Sequence, residues 1–157
     1  LTDCTEEAKD GLEVCEAVEL ACAELYHFFA ELFKDNRDHF LLWLKAAMEE
    51  ENHARLFALL GKLRGDNIES MPVTFSDAEI VLLYVQSLLE TVKEHPPTMK
   101  EALRVAIDLE GKLYDFFRAN VMAMADKSYE KSFLTITAAG SKHLESLQEA
   151  YERIAAA

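Results

Sequence analysis

Residues 12–33 read LEVCEAVELACAELYHFFAELF, and in this stretch Leu12, Cys15, Val18, Cys22, Tyr26, Phe29 and Phe33 recur every three or four residues. That is the period of one face of an α-helix; a strand, whose side chains alternate every second residue, would not collect them on one side. The stretch holds neither Gly nor Pro, and the pattern extends back to about Thr5 before the polar turn Lys34-Asp35-Asn36-Arg37 ends it. One residue interrupts the apolar stripe. Glu19 stands among Val18, Cys22 and Tyr26, where a carboxylate without a partner is costly.

Working outward, a second helix is expected over about residues 38–64, with Phe40, Leu41, Trp43, Leu44, Ala47, Met48, Leu56 and Leu60 at helical spacing and Gly65 as a left-handed stop. So short a turn between the two makes them antiparallel neighbours. Thr98-Met-Lys-Glu101, directly after Pro96-Pro97, is a capping box that opens a helix over about 98–125, and a turn near Asp126 to Ser128 leads into a last helix over about 129–154. Between them lies a long connection with its own box, Ser76-Asp-Ala-Glu79, followed by Ile80, Leu83, Leu88 and Val92. It reads as a crossover carrying an additional helix over about 76–94, which a four-helix bundle needs if its second and third helices run parallel. The 157 residues fit one all-α domain, residues 1–157: half are apolar, and only five Gly and three Pro appear.

The formal net charge of −13 argues against nucleic acid as a partner, since a polyphosphate would be repelled. Cys4, Cys15 and Cys22 form no Cys-x-x-Cys pair, which removes rubredoxin-type iron centres and zinc knuckles. Cys15 and Cys22 are two helical turns apart, roughly 10 Å, too far for a disulfide, and read as reduced core thiols. With no long apolar run and no basic-plus-apolar leader, the expectation is a soluble, cytoplasmic protein with no membrane partner.

In Glu50-Glu51-Asn52-His53, Glu50 and His53 are three apart and project from one face of the second helix, a face that also holds Ala46, Ala47 and Phe57. Glu110 stands in the stripe Ile107, Leu113, Phe117, and His143 between Ile136 and Leu147. Charged groups aimed at an apolar interior need a partner, either a closed polar network or a metal ion that carboxylates and imidazoles bind together. His27, His39 and His95 read as exposed or capping residues. The halves of the chain also resemble each other: Glu110 follows Glu19 by 91 residues, His143 follows His53 by 90, and each Glu stands seven residues before an aromatic, Tyr26 or Phe117. A duplicated helical hairpin accounts for both offsets.

On these residues the chain resembles the rubrerythrins and their single-domain ferritin-like relatives, along nearly its whole length. The resemblance implies a ferritin-like four-helix bundle with a long crossover. Its di-iron pattern takes one Glu from each of two helices and a Glu-x-x-His from each of the other two. Glu19 and Glu110 resemble the single carboxylates, Glu50 and His53 the first pair, and His143 the second histidine, with Tyr26 placed to hydrogen-bond a ligand carboxylate. The chain departs at Gly140, three before His143, where the family places a bridging glutamate. Three carboxylates do not balance two divalent ions, so a second metal needs a hydroxide, an anion or a carboxylate from elsewhere. The implied activity is reduction of peroxide or dioxygen at iron, as two ions or one, with manganese or zinc compatible with the same ligands. Electrons would come from a separate donor protein, and a homodimer is the candidate assembly. Iron handling without efficient turnover, and a structural bundle with a decayed site, are the competing expectations.

Overall fold

The computed structural model describes the backbone of residues 4–64, 75–122 and 130–157. Five helices make up the described chain, with no strand among them: α1 (Cys4–Leu32), α2 (Arg37–Arg64), α3 (Phe75–Glu94), α4 (Met99–Met122) and α5 (Glu130–Ala156). None is long and apolar enough to cross a membrane. The expected limits agree with these to within a residue or two, apart from the end of the fourth helix at 125. That end, the Asp126 to Ser128 turn, the Gly65 stop and the Ser76 capping side chain lie outside what is described.

The helix starts follow from local chemistry. Asn36 caps α2: its Oδ1 accepts from the backbone N–H of His39 at 3.1 Å, and its carbonyl accepts from Phe40 at 2.9 Å. At α4 the capping box closes reciprocally, the Glu101 N–H donating to Thr98 Oγ1 and the Thr98 N–H to Glu101 Oε2, both at 3.2 Å.

Cross-helix pairs fix the topology. Phe29 meets Trp43, with ring centroids 4.8 Å apart, while the earlier Glu19 meets the later His53, so α1 and α2 are antiparallel. The Trp43 indole N–H donates to Met99 Sδ at 3.1 Å, and Phe57 stacks near Phe117 at 5.3 Å. Both numbers of those pairs rise together, which makes α2 and α4 parallel and α3 their crossover. Arg104 donates to the Tyr151 hydroxyl at 2.9 Å, while the later Glu110 meets the earlier His143, so α4 and α5 are antiparallel. The crossover packs on α1, and Tyr84 ties it to α4 by donating to Asp108 at 3.2 Å.

The inward faces of two helices differ from the expected ones. In α2 the buried residues are Trp43, Ala46, Ala47, Glu50, His53, Ala54, Phe57 and Leu60, whereas Leu41, Met48 and Leu56 are exposed. In α3 Ala78, Val85, Leu89 and Val92 are buried, and Ile80 and Leu83 are exposed. The reason is the same in both: two apolar stripes at helical spacing compete, and the stripe holding the small residues Ala46, Ala47 and Ala78 allows closer approach of the backbones. In α1 the expected stripe is buried, with Phe33 half-buried at its end.

Thr98→Ala removes a side-chain acceptor from the first turn of α4 and should lower unfolding stability by about 1 kcal/mol. The exposed control Lys100→Ala should stay within about 0.5 kcal/mol of wild type. Urea unfolding of the two variants checks this, and equal stability would show that the box does not set the start of α4.

Candidate metal centre

Among the described residues, the buried charged or polar side chains are Glu19, Glu50, His53, Glu110 and His143, each at most 7% exposed. They come from α1, α2, α4 and α5, and the structure brings all five expected ligand residues together. Each is delivered by an apolar stripe that the core pulls inward: Leu12, Cys15, Val18 and Cys22 carry Glu19, Leu109 and Leu113 carry Glu110, and Leu147 and Ala150 fix the rotation of α5 that turns His143 in.

The donor atoms form two triads, Glu19-Glu50-His53 and Glu50-Glu110-His143, with the atoms of each triad within 4.8 Å of one another. Glu50 belongs to both. In the first, His53 Nδ1 lies 3.6 Å from Glu19 Oε2 and 3.7 Å from Glu50 Oε2. In the second, His143 Nδ1 lies 2.9 Å from Glu50 Oε1 and 3.7 Å from Glu110 Oε1. Tyr26 donates its phenol proton to Glu110 Oε1 at 2.6 Å, and its ring meets His143 edge-on.

Glu19 Oε2, Glu50 Oε1 and both ring nitrogens of His143 are buried with no hydrogen-bond partner. Even at 2.9 Å, His143 Nδ1 and Glu50 Oε1 are not aligned for a hydrogen bond. Buried groups of this kind are normally satisfied, so these atoms are available to a bound ion or to ordered water. Oxygen and imidazole donors of two such triads fit a pair of divalent cations sharing the Glu50 carboxylate.

Electrostatics tell the same story without a cation. Burial, then the charge of Glu50, pushes the Glu19 carboxyl well above its usual range. Burial and Glu50 together raise Glu110 to about 8, against the opposing pull of His143 and the Tyr26 hydrogen bond. For Glu50 burial acts upward, yet its contacts with Glu19, His143 and His53 outweigh it and hold the carboxyl below its ordinary value. Burial alone would lower the two histidines, but contact with Glu50 and the surrounding carboxylates raises both. In the metal-free cluster these shifts favour protons on Glu19, Glu110 and the two imidazoles beside an ionised Glu50, and a cation bound there would compete with those protons.

Gly140 faces this centre. With Glu19, Glu50, His53, Glu110, Leu113, Tyr114 and Phe117 it lines a cavity of about 10 Å³, close to the room one water needs, and a Cβ at 140 would meet nothing within 4 Å. Among the described residues, no fourth buried carboxylate comes from α5. Glu49, however, places Oε2 3.7 Å from His143 Nδ1. Sequence gives no signal for this residue beyond its adjacency to Glu50, because whether a flanking position meets a neighbouring helix depends on how α2 and α5 are rotated.

The remaining candidates lie elsewhere. His27 is exposed and paired with Glu51 at 2.6 Å, His95 is exposed, and His39 is half-buried against Phe33. Cys15 and Cys22 are buried free thiols, with burial the first cause that raises both. The side chains of Cys4, Ile136, Met122 and Met124 lie outside the described residues. Compared with protein-family models, with curated proteins and with solved structures, the chain finds no significant match.

Raised values on Glu19, Glu110, His53 and His143 mean that the folded metal-free chain binds more protons than the unfolded one. The stability these groups contribute is fully present below their unfolded values, 4.5 for Glu110, and is lost as the pH rises through the folded value of about 8. Glu50 shifts the other way and loses its contribution only below the unfolded carboxyl range, so it does not oppose the trend. The melting temperature of metal-free protein should accordingly fall from about pH 5 to about pH 8. Glu110→Gln should flatten that fall and melt higher than wild type at about pH 8. Scanning calorimetry in chelator decides it, and a flat or rising wild-type profile contradicts the charge distribution described.

Proposed function

We propose that the chain is a ferritin-like bundle of rubrerythrin type, whose two triads hold a pair of iron ions and reduce peroxide or dioxygen. The observation that carries this reading is Glu50: one fully buried carboxylate shared by two otherwise separate Glu-His sets. A structural polar network has no need of that arrangement, whereas a bridged metal pair does. The hairpin, crossover, hairpin order supports the ferritin-like assignment, as do the matched positions of Glu19 with Glu110 and His53 with His143.

Ferrous iron held there would supply one electron per ion, and a peroxide needs two electrons and two protons to become two waters. The side chains do the rest. Glu50, with a carboxylate oxygen in each triad, fixes the spacing of the two sites. Tyr26 fixes Glu110 Oε1 by its 2.6 Å hydrogen bond and places a hydroxyl beside the reaction space. Leu113 and Phe117 wall the cavity of about 10 Å³ at Gly140, which has room for about one water-sized guest. The ligand imidazoles fit iron, manganese and zinc alike, and the reductant is a separate donor protein.

Gly140 favours one second reading, iron binding and delivery with slow turnover, because among the described residues three buried carboxylates face the two sites. Peroxide-dependent oxidation of the ferrous-loaded protein separates the two: fast oxidation over many turnovers supports the enzyme, and a single slow oxidation supports iron handling.

Glu50→Ala removes the shared ligand and should cost both ions, leaving under about a tenth of the wild-type metal after dialysis. Unchanged content by elemental analysis would remove Glu50 from the site. Gly140→Glu, for which the fold has open space, should tighten the weaker of the two ions. Equal affinities for both ions in wild type, with no gain in the variant, would mean that Gly140 leaves no deficit.

A further inference from the structure

The deficit left by Gly140 has a candidate source on the neighbouring helix. Residues 49, 50 and 51 leave α2 about 100° apart around its axis, so the two glutamates flanking Glu50 go opposite ways. Glu51 turns toward α1, where it meets His27 at 2.6 Å. Glu49 turns toward α5, where its Oε2 lies 3.7 Å from Nδ1 of His143. The partner it approaches is an imidazole 95% buried, whose two nitrogens both lack a hydrogen bond. The other oxygen of Glu49 reaches only Lys45, at 4.0 Å and at the surface. The side chain is 34% exposed and lines both cavities along the seam of α2 and α5, of about 370 and 480 Å³, which also border His143.

We infer that Glu49 is the carboxylate ligand that completes the Glu50-Glu110-His143 site, doing from α2 what a glutamate at position 140 would do from α5. This rests on the metal-pair reading above. Three observations meet here: no acid at position 140 on α5, a buried histidine three residues further along α5 with both nitrogens unpaired, and one weakly committed acid within 4 Å of that histidine. Charge agrees, since Glu19, Glu50, Glu110 and Glu49 supply four negative charges for two divalent ions. Glu49 stands outside both compact triads, on the solvent side of His143. Each triad borders the seam cavity of about 480 Å³ through its histidine, His53 in the first and His143 in the second, and Glu49 approaches the second at 3.7 Å.

Cobalt(II), added to metal-free protein and followed by visible absorption and by equilibrium dialysis with elemental analysis, reads the two sites without any turnover. Wild type should bind two ions per chain. Glu49→Gln should leave the first unchanged and weaken the second about tenfold or more. Glu145→Gln, which removes the same charge from an exposed position on α5, should bind as wild type. Adding Gly140→Glu to Glu49→Gln should restore the second ion, a rescue that simple loss of surface charge or of folding does not give. If Glu49→Gln binds both ions as tightly as wild type, Glu49 is not a ligand while the metal pair itself stands; if wild type stops at one ion, the pair and this assignment both fall. Wild type binding no cobalt overturns the metal centre and this assignment together.

Discussion

A carboxylate removed from water does not stay ionised unless cations or proton donors surround it, and here that carboxylate is Glu50. It is 1% exposed and sits where two helical hairpins face each other. The removal of an ion from water costs several kcal/mol even after the protein relaxes. Without metal, the neighbours compensate by holding protons, so that Glu19 and Glu110 are pushed toward neutrality and His53 and His143 toward charge. On the reading proposed above, two divalent ions would take the same atoms as ligands and displace the protons. Without them Glu19 Oε2, Glu50 Oε1 and both nitrogens of His143 lack a hydrogen-bond partner, which is the pattern of a binding centre more than of a structural core.

The rest of the molecule serves that arrangement. Capping by Asn36 and by the Thr98-Glu101 box fixes where α2 and α4 begin, and helix rotation follows from which apolar stripe is buried. The crossover α3 lets α2 and α4 run parallel, so that Glu50 and Glu110 arrive from the same direction while α1 and α5 deliver Glu19 and His143 from the other. Aromatic packing around Tyr26, Phe29 and Trp43, tied to α4 through Met99, braces one end of the site. The α2-α5 seam is the open side.

Helix number, crossover and all five buried polar positions were legible in the sequence, because an acid or histidine on an otherwise apolar stripe is a strong signal: burial is forced by the neighbours on the same face. The inward faces of α2 and α3 were harder. Leu41, Met48, Leu56, Ile80 and Leu83 are as apolar as the residues actually buried, and only packing between helices, in which small Ala46, Ala47 and Ala78 win, decides between the stripes. Glu49 was invisible for a related reason. Its approach to His143 depends on the rotation of α5 relative to α2, a tertiary quantity that no local pattern carries, whereas Gly140 stood out by position alone as the departure from the resembled pattern.

The most direct test is diffraction from crystals of the purified, metal-replete protein, with anomalous data collected on both sides of the iron and zinc edges. Two anomalous peaks, one in the Glu19-Glu50-His53 triad and one in the Glu50-Glu110-His143 triad, with Glu50 bound to both, are the result expected here. No anomalous peak between those triads, with the five side chains closed on one another through hydrogen bonds or waters, would contradict it.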